Sequence, residues 1–140
     1  ELAYSPPGVL TNAQGDTLVL WMRDNGRLLA VRRPAGGAWS APVTVKTLRG
    51  LMPWSAALDP SGAAVAVWSR GGWFGDPGHG PDAAVMSSDG TWSAPVALSP
   101  WKEGVLDPQV AMNGGVAVAA WLQVAEDPDT HYRASTYAAT

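Results

Sequence analysis

Three short apolar runs set the pattern of this chain: GDTLVLW at 15–21, GAAVAVW at 62–68 and GVAVAAW at 115–121. Each opens on a glycine and closes six residues later on a tryptophan, and Trp21, Trp68 and Trp121 are spaced by 47 and 53 residues. The runs do not alternate apolar with polar. In the second, Val65 and Val67 take one face of an extended chain, while Ala64, Ala66 and Trp68 take the other. Both faces being apolar, the pattern predicts strands buried on both sides rather than half wet. A turn segment precedes each run (TNAQG, LDPSG, AMNGG), and glycine turns between short apolar segments predict hairpins.

A second signature, WSAPV, occurs at 39–43 and again 53 residues later at 92–96. The repeating unit is thus about 50 residues, present nearly three times. Each unit reads as four strands; in the second they are predicted at 56–59, 63–68, 82–87 and 91–98. Pro42 and Pro95 then fall inside the fourth strand. Proline has no N–H to give a ladder, so the fourth strand is expected at the sheet edge, where the missing donor points outward and discourages edge-to-edge pairing.

Composition narrows the picture. A chain of 140 residues suits one compact domain. Its 16 glycines and 12 prolines argue for many short segments, and no helix is predicted. The net charge is −3 and the basic residues are scattered, Arg32 and Arg33 being the densest pair, so nucleic acid is not an expected partner. No apolar run approaches 18 residues, so no membrane span is expected. Without cysteine there is no disulfide or thiolate chemistry, and no cofactor or metal is expected.

The pattern G-x-x-x-x-x-W, a hairpin, then G-x-W-S-x-P-V resembles the blades of sialidase-like bacterial secreted β-propellers across essentially the whole chain. The resemblance implies an all-β fold of four-stranded antiparallel blades, about three of them, at 5–46, 53–99 and 106–140. It also implies a secreted or extracellular protein of bacterial type. A β-trefoil, also built of three repeats, is the alternative. One motif departs from the sialidase pattern: SSDGTW at 87–92 is one residue short of the Asp-box, and RPAGGAW at 33–39 has no Asp. The blade is carried over and the box is not.

About three blades do not close a propeller, which takes 4–8. Residues 1–5 read as the end of a fourth strand, and 131–140 as a third strand. The expectation is either a piece of a longer chain or a homo-oligomer whose copies complete each other's ring.

In such a stack, the strand 1–2 and 3–4 turns are short and share one end. The segments expected at the other end, 46–55, 69–82, 99–108 and 123–132, are longer and carry Trp54, Trp73, Phe74, Trp101, Glu103 and Tyr132. Binding residues concentrate on loops held by a rigid scaffold, and aromatic faces beside polar groups suit sugar rings. These six are the candidate ligand-binding residues, for a carbohydrate or other small ligand; the competing reading of the aromatics is that they fill gaps between blades. Trp54 and Trp101, 47 residues apart, are candidates for equivalent positions. Trp21, Trp39, Trp68, Trp92 and Trp121 read as packing. His79 and His131 lack a partner at ligand spacing, and the acidic run Glu126, Asp127, Asp129 lacks the rest of a calcium loop. Sialidase chemistry would draw on Arg49, Arg70, Glu103 and Tyr132, but nothing in the sequence makes them converge, and no catalytic residue is assigned. The reading is a non-catalytic, lectin-like module. The alternatives are a fragment of a sialidase-like glycoside hydrolase and a protein-interaction scaffold.

Overall fold

The computed structural model describes residues 6–50, 52–70, 80–99, 104–125 and 133–139, with backbone alone for 123–125 and 133–139. Among the described residues every regular element is a strand: β1 (Gly8–Thr11), β2 (Thr17–Met22), β3 (Arg27–Arg33), β4 (Val43–Thr47), β5 (Trp54–Leu58), β6 (Ala64–Ser69), β7 (Pro81–Met86), β8 (Val96–Ala97), β9 (Gly104–Asn113), β10 (Val116–Ala125) and β11 (Arg133–Ala139). They pair antiparallel in chain order, giving β1-β2-β3-β4, β5-β6-β7-β8 and β9-β10-β11. Two sheets therefore have four strands and the third has three. The glycine turns do what their sequence requires. Gly15 and Gly62 have φ of 92° and 84°, and each closes its first hairpin by donating its N–H three residues back, to Asn12 and Asp59.

The sheets stack through opposite faces. Leu18, Leu20, Met22, Leu28 and Ala30 of the first sheet pack against Ala64, Ala66, Trp68, Ala84 and Met86 of the second. The other face of the second sheet, with Ala57, Val65, Val67 and Ala83, packs against Val105, Ala119 and Trp121 of the third. The first strands also meet across the sheets, β1 on β5 and β5 on β9. Trp68 is fully buried in the first of these layers. It sits among alanines at 64, 66 and 84, and their small side chains leave the depth that an indole fills at close packing.

Of the three glycine-to-tryptophan runs, the second alone is buried on both faces among the described residues: every residue of β6 from Ala64 to Ser69 is buried. The expectation is corrected for β2 and β10. Val19 and Trp21 of β2 are half-buried, and Val116 and Val118 of β10 are 60% and 44% exposed. The cause is position: β6 belongs to the middle sheet, whereas β2 and β10, among the described residues, each have a neighbouring sheet on one side.

The predicted fourth strand also needs correction. β4 and β8 are the outer strands of their sheets. Yet residues 91–98 form only a bridge between Met86 and Trp92 and the two-residue β8. Pro42 and Pro95 each stand just before a strand, not inside one. The interruption has one cause in both repeats. Ser93 donates its N–H to the Val85 carbonyl at 2.8 Å, as a ladder residue does. The return bond, from the Val85 N–H, goes to the Ser93 hydroxyl at 3.1 Å instead of the Ser93 carbonyl. That hydroxyl in turn donates to Ala94 O. Ser40 does the same with Arg32 and Ala41. A hydroxyl replaces a carbonyl, the backbone bulges, and the next residue but one is the proline, whose missing N–H leaves nothing unpaired.

Replacing Ser93 by Ala should therefore lower stability by about 0.5–1.5 kcal/mol, the net worth of one such hydrogen bond, and Ser40→Ala should do the same. Because the two sites lie in different sheets with no shared partner, the double variant should show the sum. Urea titrations of the three variants check both points.

Candidate functional site

Of the six candidate binding residues, Trp54 lies among the described residues; Trp73, Phe74, Trp101, Glu103 and Tyr132 lie outside them, as do His79, His131 and the acidic run at 126–129. Trp54 opens β5 opposite Trp68. Its six-membered ring lies against the backbone of Gly8 so closely that a Cβ there would fall 2.8 Å from Trp54 Cη2. It is half-buried and packs against the apolar layer between the first two sheets. It also walls a cavity of about 320 Å³ with Pro6, Pro7, Leu10, Ser55 and Gln109. Gap-filling and cavity-lining are thus combined in one side chain. Trp101 is not its counterpart by register. Second strands of the second and third sheets are offset by 53 residues, so the position aligned with Trp54 falls near Pro108. Arg70, considered for sialidase chemistry, is engaged by Asp82 in an ion pair of 2.7 Å, with Nε donating at 2.8 Å.

A polar seam runs along the opposite end, where the short turns of the three sheets meet. Asn12 Nδ2 donates to Asp16 Oδ2 at 2.9 Å and to the Asp59 carbonyl at 3.1 Å, crossing from the first sheet to the second. Asp59 Oδ2 accepts from the Gly115 N–H at 3.1 Å, crossing to the third. Asp16 Oδ1 accepts from the Ala35 N–H at 2.9 Å. Gly62 lets Asp16 and Arg32 approach this closely: a Cβ there would lie 3.0 Å from Asp16 Oδ2 and 3.3 Å from Arg32 Nη2.

Arg32 and Asp89 lead from the seam into a second cavity between the first two sheets, about 250 Å³, lined also by Ser40, Pro34, Val43 and Trp92. Trp92 forms one apolar wall. Asp89 is aimed by its own turn, accepting from Ser87 Oγ and from the Thr91 N–H. Among the described residues, Arg32 Nε and Trp92 Nε1 are buried without a hydrogen-bond partner. The cavity thus brings an indole face, a guanidinium, a carboxylate and a hydroxyl together. Sequence reasoning assigned Trp92 to packing and placed neither Arg32 nor Asp89 in a site; they come from different units and meet only when the sheets stack.

All three carboxylates titrate below the usual aspartate range. Asp16 is held down first by Asn12, then by the Ala35 N–H and Arg32. Asp59 is held down by Ser61 and then by the Gly115 N–H. Asp89 is held down by Ser87, then by Thr91 and Arg32.

The sequence matches no protein-family model and no curated protein sequence. A search of solved structures finds similarity to an α-L-arabinofuranosidase from Podospora anserina, solved in complex with cellotriose. The TM-score is 0.53 at 14% identity, and the likeness covers 94% of this chain and 52% of that one. This chain therefore spans about half the length of the solved structure. That fold is a five-bladed β-propeller, and the antiparallel four-stranded sheets found here are compatible with a propeller.

Depressed carboxyl values fix the sign of the acid response. The three aspartates bind protons less readily folded than unfolded. Their stabilisation is complete above the unfolded value of about 3.9 and is lost as pH falls through the lower folded values. The denaturation midpoint should hold steady from about pH 7 to 5 and fall steeply below about pH 4. Asp59→Asn should flatten that fall by removing one titration, as urea midpoints measured against pH will show.

Proposed function

We propose that this chain is a carbohydrate-binding, non-catalytic β-propeller module of sialidase-like blade type, complete when further sheets join the three found here. The observation that supports it best is the cavity between the first two sheets. There the Trp92 ring offers the apolar wall that stacks on a pyranose or furanose face, and Arg32 and Asp89 offer a donor and an acceptor for hydroxyls at its rim. The Trp54 cavity, at the other end, is the second place where an indole and polar groups converge. A carbohydrate ligand is in keeping with the cellotriose bound by the structural neighbour, and a secreted setting with carbohydrate as the target.

Titration calorimetry against cello- and arabino-oligosaccharides, preceded by a glycan array, tests the reading. The expected outcome is binding that Arg32→Ala weakens by at least about tenfold, equivalent to about 1.4 kcal/mol, while Trp54→Ala leaves it in place. Loss with Trp54→Ala and not with Arg32→Ala would move the site to the other cavity. Silence across the array would remove the carbohydrate reading. Steady release of aryl alcohol from an aryl α-L-arabinofuranoside, or from an aryl sialoside, would replace binding with glycoside hydrolysis.

A further inference from the structure

Arg32 leaves β3 of the first sheet and ends between two glycine turns of the second. A Cβ on Gly62 would lie 3.3 Å from Arg32 Nη2, and a Cβ on Gly90 would lie 3.3 Å from Arg32 Nη1. Gly62 closes the turn between β5 and β6, and Gly90 closes the turn that follows β7. Both have positive φ, 84° and 96°, so both turns favour a residue without a side chain. The guanidinium lies where those side chains would be.

Two carboxylates flank it. Asp16 Oδ2 lies beside the same point above Gly62, 3.0 Å from where a Cβ would fall. Asp89 is next to Gly90 in the chain and lines the cavity with Arg32; these two are the charged residues of that lining. Asp16 is held low first by Asn12 and Asp89 first by Ser87, each with a smaller share from Arg32, so both are ionised at neutral pH. Among the described residues, neither forms a direct ion pair with Arg32. The guanidinium therefore keeps donors for a ligand, yet its one positive charge is outweighed by two negative ones.

That balance decides what the cavity admits. A hydroxyl both donates and accepts, so neighbouring sugar hydroxyls accept from Arg32 and donate to Asp89. A carboxylate only accepts. Set on Arg32, it offers Asp89 no hydrogen and stands beside two charges of its own sign. Trp92, Met86 and Leu18 make much of the remaining wall apolar, which weakens the screening of that repulsion. Juxtaposed like charges cost binding energy, and they act chiefly on specificity. We propose that this cavity selects uncharged sugars, with Arg32 and Asp89 reading neighbouring hydroxyls together and Asp89 turning acidic sugars away. The inference rests on the carbohydrate reading of the cavity and adds to it the class of sugar.

Matched pairs test it by titration calorimetry at pH 7. Each pair is a neutral glycan bound on the array and the same glycan with the primary alcohol of its terminal sugar oxidised to a carboxylate. The native chain should bind the neutral member at least about tenfold more tightly. Asp89→Asn keeps the Oδ1 that accepts from Ser87 and Thr91 and removes the charge. It should bring the two members within about threefold of each other. Raising the ionic strength from about 0.02 M to about 0.5 M should narrow the gap for the native chain in the same direction. Where the variant fails to fold or to bind, the salt series on the native chain decides. Equal or tighter binding of the acidic member overturns the selection and leaves the carbohydrate reading standing. A gap that neither the variant nor salt moves reports the lost hydroxyl, not the charge, and overturns it as well. Silence across the array removes the carbohydrate reading and this inference with it.

Discussion

The rest of this molecule depends on a middle sheet that is apolar on both faces. A half-wet sheet needs one neighbour; this one needs two, and its stability lies in the layers on either side of it. Burial of apolar area at about 25 cal/mol per Å² makes a fully enclosed tryptophan among the largest single contributions a domain can have. Trp68 obtains that enclosure only because Ala64, Ala66 and Ala84 give up volume on its own sheet while Leu18, Leu20 and Leu28 supply it from the next. The alanines of the second sheet accord with this division, large on one face and small around the indole on the other.

Apolar layers resist separation but do little to stop one sheet sliding over another. The seam at the short-turn end supplies that constraint. Asn12 reaches the Asp59 carbonyl and Asp59 reaches the Gly115 amide, so three successive hairpin turns are linked by directional bonds. Asp59 is buried and its carboxylate is satisfied by backbone amides and Ser61, which offsets the cost of burying charge. Alignment of the turns then aligns the outer parts of the sheets, where the Arg32 and Asp89 cavity is formed.

Much of the fold was legible because its markers are local. A glycine that must adopt positive φ and a tryptophan six residues on locate the second strand of each sheet, and the strands on either side follow from hairpin geometry. What misled was chemistry that imitates a ladder. Nothing in WSAPV distinguishes a serine that pairs through its backbone from one that pairs through its hydroxyl, so residues 91–98 read as a continuous strand. The half-covered faces of β2 and β10 were equally invisible, since the residues are as apolar as those of β6 and only their place in the stack differs. The site was harder still. Trp54 was found by its position before a strand, but Arg32 and Asp89 are 57 residues apart and neither belongs to a motif that names it.

Stacking and site are also one problem. Trp92 walls its cavity because a preceding sheet supplies Arg32, Ser40 and Val43 opposite it. Trp39 holds the same place in the repeat, 49% exposed among the described residues, and the neighbouring Arg33 lies over its ring. A cation over an exposed indole contributes roughly 0.5–1 kcal/mol, far less than burial of the ring, so this arrangement yields readily to a sheet that covers it. The tryptophan of the W-S-x-P segment thus serves packing and cavity at once: where a neighbouring sheet faces it, as at Trp92, the same ring that closes the apolar layer also walls the space beside it.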